Sequence, residues 1–256
     1  MAWQNLCEKV RGIVEKEPRL IRLPSSGKAV FVGDTHGDLD ATERVLHRYR
    51  KGPYHLVFLG DYVDRGIQSQ ENLEYLLHAK AQHPERITLL AGNHEGFMVK
   101  KFLPADFWED LDGPDRELLG SLFFWLPLAT MSENGVLGVH GGLPDLKSLE
   151  EVNQIQPGDE NWDRITWGDF LEHEGDLLGD WGGRPQFGDR YFHRMMDRYQ
   201  RRLLIRSHQP NSPPWMFDEC CLTLMTSRDY KSKRTIAIVD LGKQLRNSKD
   251  VIIEEV

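Results

Sequence analysis

The sequence predicts an α/β protein, and three observations carry that prediction. Short runs of Val, Leu and Ile recur, each ending in a cluster of glycine and polar residues. The stretches between the first of these runs show helical spacing. The chain has 256 residues, 39% hydrophobic and 28% charged, which is a globular composition with enough length to bury a sizeable core.

Taken in order, residues 29–32 run into Gly33-Asp34-Thr35-His36-Gly37-Asp38 and read as a buried strand. Leu39, Val45, Leu46 and Tyr49 then share one helix face. Residues 56–59 run into Gly60-Asp61-Tyr62-Val63-Asp64-Arg65-Gly66. A second helix follows, with Leu73, Leu76, Leu77 and Ala81 on one face, Ser69 as N-cap and Glu71 in the first turn. Residues 87–90 run into Ala91-Gly92-Asn93-His94-Glu95, completing a βαβαβ pattern. Residues 102–127 are aromatic and acidic and predict helices around Gly113-Pro114, with Pro127 as the exit. Residues 136–139 lead to His140-Gly141-Gly142. Residues 157–188, rich in Gly, Asp and Trp, lack clear periodicity and predict a long functional loop. Phe192, Met195, Met196 and Tyr199 form a helical core stripe. Residues 203–205 lead to Arg206-Ser207-His208-Gln209. Residues 221–225, 235–239 and 251–253 predict consecutive strands in a second, more antiparallel sheet.

Composition bounds the function. Lys and Arg total 32 against 40 Asp and Glu, a net charge of -8, so no nucleic-acid partner is expected. The 3 cysteines, Cys7, Cys220 and Cys221, form no CxxC, which argues against a disulfide framework or zinc knuckle. Charges interrupt residues 1–20, so no signal peptide is expected, and no run approaches about 18 uncharged apolar residues. The expected location is cytoplasmic, with no membrane association.

Loops at the carboxyl ends of strands in open α/β sheets gather into one crevice. Five such loops carry Asp, Asn or His here, which brings Asp34, His36, Asp61, Asn93, His140 and His208 together. Any one of these alone reads as a turn or a structural histidine; five at once do not. Mixed carboxylate, imidazole and amide ligands suit Mn, Fe or Zn. The number of ligands suits two ions sharing a bridging carboxylate, an arrangement that drives displacement at phosphorus. Arg65 can bind phosphate oxygens through its planar fork. His94 projects near the ligands, and Asp64 can orient its ring as a general acid.

These residues resemble the phosphoprotein phosphatase family of Ser/Thr phosphatases, within the calcineurin-like metallophosphoesterases. The signatures are GDTHG at 33–37, GDYVDRG at 60–66, GNHE at 92–95, HGG at 140–142 and RSH at 206–208. The resemblance implies an α+β sandwich of two central mixed sheets flanked by helices, with a metal site at the strand C-terminal ends, in one catalytic domain over residues 1–256. It implies that Asp34 and His36 hold a first ion, Asp61 bridges, and Asn93, His140 and His208 hold the second. Manganese comes first, with iron or zinc also fitting. His94 with Asp64 would be catalytic, and Arg65, Arg184 and Asn93 would bind the substrate phosphate. Arg184 is matched within Trp181-Gly182-Gly183-Arg184-Pro185-Gln186-Phe187-Gly188. Where the family carries a SAPNYCG loop, this chain has Thr226-Ser227-Arg228-Asp229-Tyr230-Lys231, which leaves Tyr230 and Arg228 as alternatives beside the metals.

The implied activity is hydrolysis of phosphoserine and phosphothreonine in proteins or peptides, with phosphotyrosine also open, by direct attack of a dimetal-bound hydroxide. The resemblance to a compact prokaryotic-type member implies no regulatory subunit. The competing expectations are a diadenosine tetraphosphatase or other nucleotide or nucleic-acid end phosphoesterase, and a catalytically inactive scaffold.

Overall fold

The computed structural model describes residues 3–256. The chain opens with helix α1 (Trp3–Val14) and strand β1 (Leu20–Arg22). The predicted βαβαβ segment follows as β2 (Lys28–Val32), α2 (Leu39–Tyr49), β3 (Tyr54–Phe58), α3 (Ser69–Gln82) and β4 (Ile87–Leu89). Next come α4 (Asp106–Asp110), α5 (Gly113–Phe123), β5 (Ala129–Met131) and β6 (Val136–Val139). The third quarter holds α6 (Glu160–Trp167), β7 (Asp169–Phe170), β8 (Leu177–Trp181), β9 (Arg184–Phe187) and α7 (Asp189–Arg198). The chain continues through β10 (Leu203–Arg206), β11 (Trp215–Met216), β12 (Cys221–Thr223), β13 (Thr235–Asp240) and β14 (Val251–Glu255).

Two mixed sheets face each other, in the orders β14-β13-β2-β3-β4 and β1-β5-β6-β10-β12-β11. Strand alternation builds the sandwich. Ala29 and Phe31 of β2 join Val136, Leu203, Ile205, Leu222 and Leu224 in one buried cluster between the sheets. Val30 and Val32 point the other way, into a cluster with Leu46, Leu73, Leu76 and Leu77 of the helices. Both faces of β2 are therefore dry, which is why its sequence reads as a continuous apolar run. The opposing sheet makes room for Phe31 at Gly138, where an added Cβ would lie 3.0 Å from the Phe31 ring.

Three local expectations change. Ser69 is not the N-cap of α3; Gln68 is, without a side-chain cap bond, and the Ser69 hydroxyl donates instead to the Gly66 carbonyl at 2.9 Å. The C-terminal strands do not build a sheet of their own. β12 pairs in parallel with β10, whereas β13 and β14 extend the other sheet beside β2. Their apolar residues face the shared inter-sheet core, so the tail closes both sheets at once. Residues 157–188 are not one irregular loop. Asp159 caps α6 by accepting from the Trp162 N–H at 2.7 Å. β7, β9 and β8 form a small third sheet, with a turn at Gly182 and Gly183, both at positive φ. Most of β8 is exposed, so no apolar alternation marks it. The helices around Gly113-Pro114 are present, with Asp112 capping α5, and the stripe on α7 is buried.

No helix among the described residues is long and apolar enough to cross a membrane. All 3 cysteines are free thiols. Phe31→Ala should destabilise the chain by about 3–5 kcal/mol, because the facing sheets cannot close on the void. Urea unfolding at unchanged m-value is the check; a loss under about 1 kcal/mol would show that the inter-sheet core is not tightly packed.

Candidate active site

The five loops predicted to converge do so. Asp34 and His36 follow β2, Asp61, Asp64 and Arg65 follow β3, and Asn93 and His94 follow β4. His140 follows β6 and His208 follows β10. All of these side chains are buried except Arg65, which is partly exposed.

Asp61 is the centre. Its Oδ2 lies 3.5 Å from His36 Nε2, 3.4 Å from His140 Nε2 and 3.9 Å from His94 Nε2. His140 Nε2 is 3.1 Å from His208 Nδ1 and 3.2 Å from Asn93 Oδ1. Asp34 Oδ2 is 3.8 Å from His36 Nε2. The opposite ring nitrogens are turned outward. His36 Nδ1 meets the Val63 carbonyl at 2.8 Å, and His140 Nδ1 meets the Leu59 carbonyl at 2.9 Å. Anchored rings with inward-facing nitrogens around a shared carboxylate are the arrangement of metal-ligating histidines. Asp61 with His36 and His94, and Asp61 with His140 and His208, each bring ligand atoms within 4.8 Å of one another.

Electrostatics agree with a cation-seeking pocket. Burial would raise the Asp61 carboxyl, but the His140 and His94 rings outweigh it and hold it well below the usual range. Burial and the neighbouring Asp61 push Asp34 up. Burial alone would lower His140, yet Asp61 and Asp34 push it up to about 9. Burial and His94 push His36 down to about 3. His94 differs from the other rings. Its Nδ1 is 2.6 Å from Asp64 Oδ2, and Asp61 and Asp64 together raise its basicity despite burial. His94 is set apart by the carboxylate on its Nδ1, where His36 and His140 meet backbone carbonyls, and that pairing orients its ring and favours the proton a general acid needs.

Arg65 Nη1 donates to the Pro104 carbonyl at 3.0 Å. Arg184 reaches the same region from β9, its Nε and Nη2 donating to Asp169 at 2.9 and 2.7 Å, and its Nη2 lying 3.4 Å from the His208 carbonyl. The 226–231 loop resolves one open alternative. Tyr230 packs its ring 5.2 Å from His36 and lies beside Arg65, whereas Arg228 turns away to Asp40 at 3.0 Å. Arg234 secures the base of that loop through Asp38 at 3.0 Å and Asp40 at 2.7 Å.

Several supporting residues were not singled out in the sequence. Glu95 accepts from the N–H groups of Asp61, Tyr62 and Gly92 at 2.8, 2.9 and 2.8 Å. One buried carboxylate thus knots two of the five loops. Asn72 donates to Thr35 Oγ1 and the Tyr62 carbonyl, and the Ser207 hydroxyl accepts from the Asp34 N–H. Phe102 lays its ring 4.5 Å from His94. Glu95 was visible as the last letter of GNHE. Asp169 had no signal, because it stands in a two-residue strand far from any motif.

Comparison with known proteins decides the family. Residues 27–212 match the calcineurin-like phosphoesterases. The chain belongs to that family. It is 30% identical over 239 residues to the serine/threonine-protein phosphatase 6 catalytic subunit of Drosophila melanogaster, covering 89% of this chain and 78% of that protein. That likeness supports the phosphoprotein phosphatase branch of the family. Two solved structures share the fold. A protein serine/threonine phosphatase of Saccharomyces cerevisiae superposes with a TM-score of 0.84 at 23% identity, over 98% of this chain and 88% of that one. A cold-active protein-tyrosine phosphatase of a Shewanella species gives 0.60 at 18% identity, over 95% and 84%.

Glu95→Gln should cost about 1–3 kcal/mol, because an amide keeps one acceptor and sets a donor against a backbone N–H. Calorimetry or urea unfolding reads the loss, and an unchanged midpoint would mean that the two loops are held without Glu95.

Proposed function

We propose that this chain is a metal-dependent phosphatase that hydrolyses phosphoserine and phosphothreonine in proteins. The observation that carries the reading is the convergence of Asp61 with His36, His140, His208 and Asn93 beside the His94–Asp64 pair. The likeness to a Ser/Thr phosphatase catalytic subunit supports the substrate class.

The donor set fits two divalent cations. Asp34, His36 and Asp61 would hold one, and Asp61, Asn93, His140 and His208 the other. We assign manganese first; iron and zinc suit the same donors. Bound there, the cations supply Lewis acidity and a water-derived nucleophile at neutral pH.

The chain's own residues supply the rest. Arg65 directs its fork at the phosphate oxygens. Asp169 engages Nε and Nη2 of Arg184, which leaves Nη1 to donate to phosphate. The Asn93 amide N–H gives a further donor. His94 keeps Nδ1 toward Asp64 and delivers its Nε2 proton to the leaving Ser or Thr oxygen. Tyr230 and Phe102 wall the two sides of the His36 and His94 rings and limit water there. The same reading takes residues 3–256 as one catalytic domain, on the basis of the shared core, acting in the cytoplasm without a regulatory subunit. An inactive scaffold is disfavoured because every residue of the reaction is present.

His94→Asn should lower kcat on phosphopeptides by about 10²–10⁴ while bound metal stays constant. Unchanged turnover would remove His94 from the reaction. Metal uptake has its own signature. His140, raised to about 9, carries a proton at about pH 7 that must leave before it can ligate. Titration calorimetry in buffers of different ionisation heat should therefore show proton release at about pH 7 and less at about pH 10. Equal release at both would place another group in the His140 role.

A further inference from the structure

We infer that the chain carries a second anion site, remote from the catalytic loops, that binds a small organic phosphate with an apolar body. The catalytic loops leave the ends of their strands, whereas this site lies at the start of β2. Alternation along β2 puts Lys28 on the same face as Val30 and Val32. In β13, Asp240 stands opposite Lys28 and Ile238 opposite Val30, and in β14 Ile252 stands opposite Ile238. That face therefore changes from apolar to charged toward the start of β2. Together with the turn over residues 241–250 it bounds a cavity of about 380 Å³. The cavity is lined by the aliphatic Ile238 and Ile252 and by four cations, Lys28, Lys243, Arg246 and Lys249.

The cations outnumber the acids of this cavity, and the acids are already engaged. Asp240 accepts from the Gly242 N–H at 3.1 Å and pairs with Lys243 at 3.2 Å. Asp250 accepts from the N–H groups of Arg246 and Asn247 at 2.7 and 3.3 Å. Among the described residues, no ion pair or side-chain hydrogen bond engages Lys28, Arg246 or Lys249. Three like charges thus stand around one cavity in a chain whose net charge is -8. A bound anion relieves their mutual repulsion. The turn is held in place from the facing sheet. The Asn134 amide donates to the Asp240 and Lys243 carbonyls at 3.0 and 2.9 Å, Arg202 donates to the Leu245 carbonyl at 3.0 Å, and the Leu245 side chain is buried. A guanidinium fork beside two ammonium groups matches the oxygens of a phosphate. Ile252 is 51% exposed, so an apolar body attached to that phosphate gains by covering it.

The probe is phenylphosphonate, which has no ester bond to hydrolyse. It is titrated into the holoenzyme loaded with diamagnetic Zn²⁺ and followed by the methyl resonances of Ile238 and Ile252, which report this cavity rather than the metal loops. Both resonances should shift and saturate, and methylphosphonate, which lacks the ring, should bind about tenfold more weakly. In an Arg246→Ala, Lys249→Ala variant the apparent Kd should rise about tenfold or more. A Lys9→Ala, Lys16→Ala variant removes the same charge elsewhere on the surface and should leave the Kd unchanged. All four side chains are exposed, so both variants should fold, with Tm as the check. Resonances that do not move, equal binding of the two phosphonates, or an equal loss in both variants would overturn the inference. The readout needs no turnover, so its outcome is separate from that of the phosphatase reading.

Discussion

Five of the residues that meet in the site stand on left-handed backbone. His36, Asp61, Asp64, Arg65 and His208 have φ of 41°, 54°, 66°, 73° and 74°. Non-glycine residues in that region cost on the order of 1–3 kcal/mol each and persist only where the surroundings over-determine them. The surroundings here are the other loops. The N–H groups of Thr35 and His36 donate to the Asp61 carbonyl, and Gly37 donates to Tyr62. Glu95 then ties the Asp61 turn to the Gly92 turn. Each strained turn is held by its neighbour, so no loop of the site is independent of the others. The same crowding explains a motif glycine. At Gly92 a Cβ would sit 2.2 Å from Asp61 Oδ1.

The second constraint is electrostatic. Asp34, Asp61, Asp64 and Glu95 are all buried within these loops. Burying carboxylates without compensation is costly. Asp64 is compensated by His94 and the Phe107 N–H, and Glu95 by three backbone N–H groups. Asp34 and Asp61 face the imidazoles, and the negative potential they create raises the basicity of His140 against its burial. The potential that draws a proton to His140 would draw a divalent cation more strongly. The overall charge of -8 therefore does not describe the site, whose acidic residues are matched locally by histidines, arginines and the cations they would hold.

What the sequence made legible follows from local chemistry. The βαβαβ segment was readable because β2, β3 and β4 are buried on both faces and stop at glycines. Asp34, His36, Asp61, Asn93, His140 and His208 were readable because each stands directly after such a strand. Residues 157–188 were not, since β8 is largely exposed and β7 has only two residues, so neither carries an apolar rhythm. The C-terminal strands were recognised as strands but assigned to the wrong sheet. Pairing is long-range, and nothing local distinguishes β12 beside β10 from β12 beside β13. Asp169 and Phe102 were missed because their partners, Arg184 and His94, are set by tertiary packing. The choice between Tyr230 and Arg228 turned on Asp40, an acid in a distant helix that claims the arginine.

The account depends on Asp61 serving two cations at once. Metal content measured on the purified chain reloaded with Mn²⁺ is the direct test, carried out for the wild type and for Asp61→Asn. The account predicts two ions per chain in the wild type and loss of most of both in the variant, with activity falling in parallel. One ion per fully active wild-type chain, or two ions retained without Asp61, would contradict it.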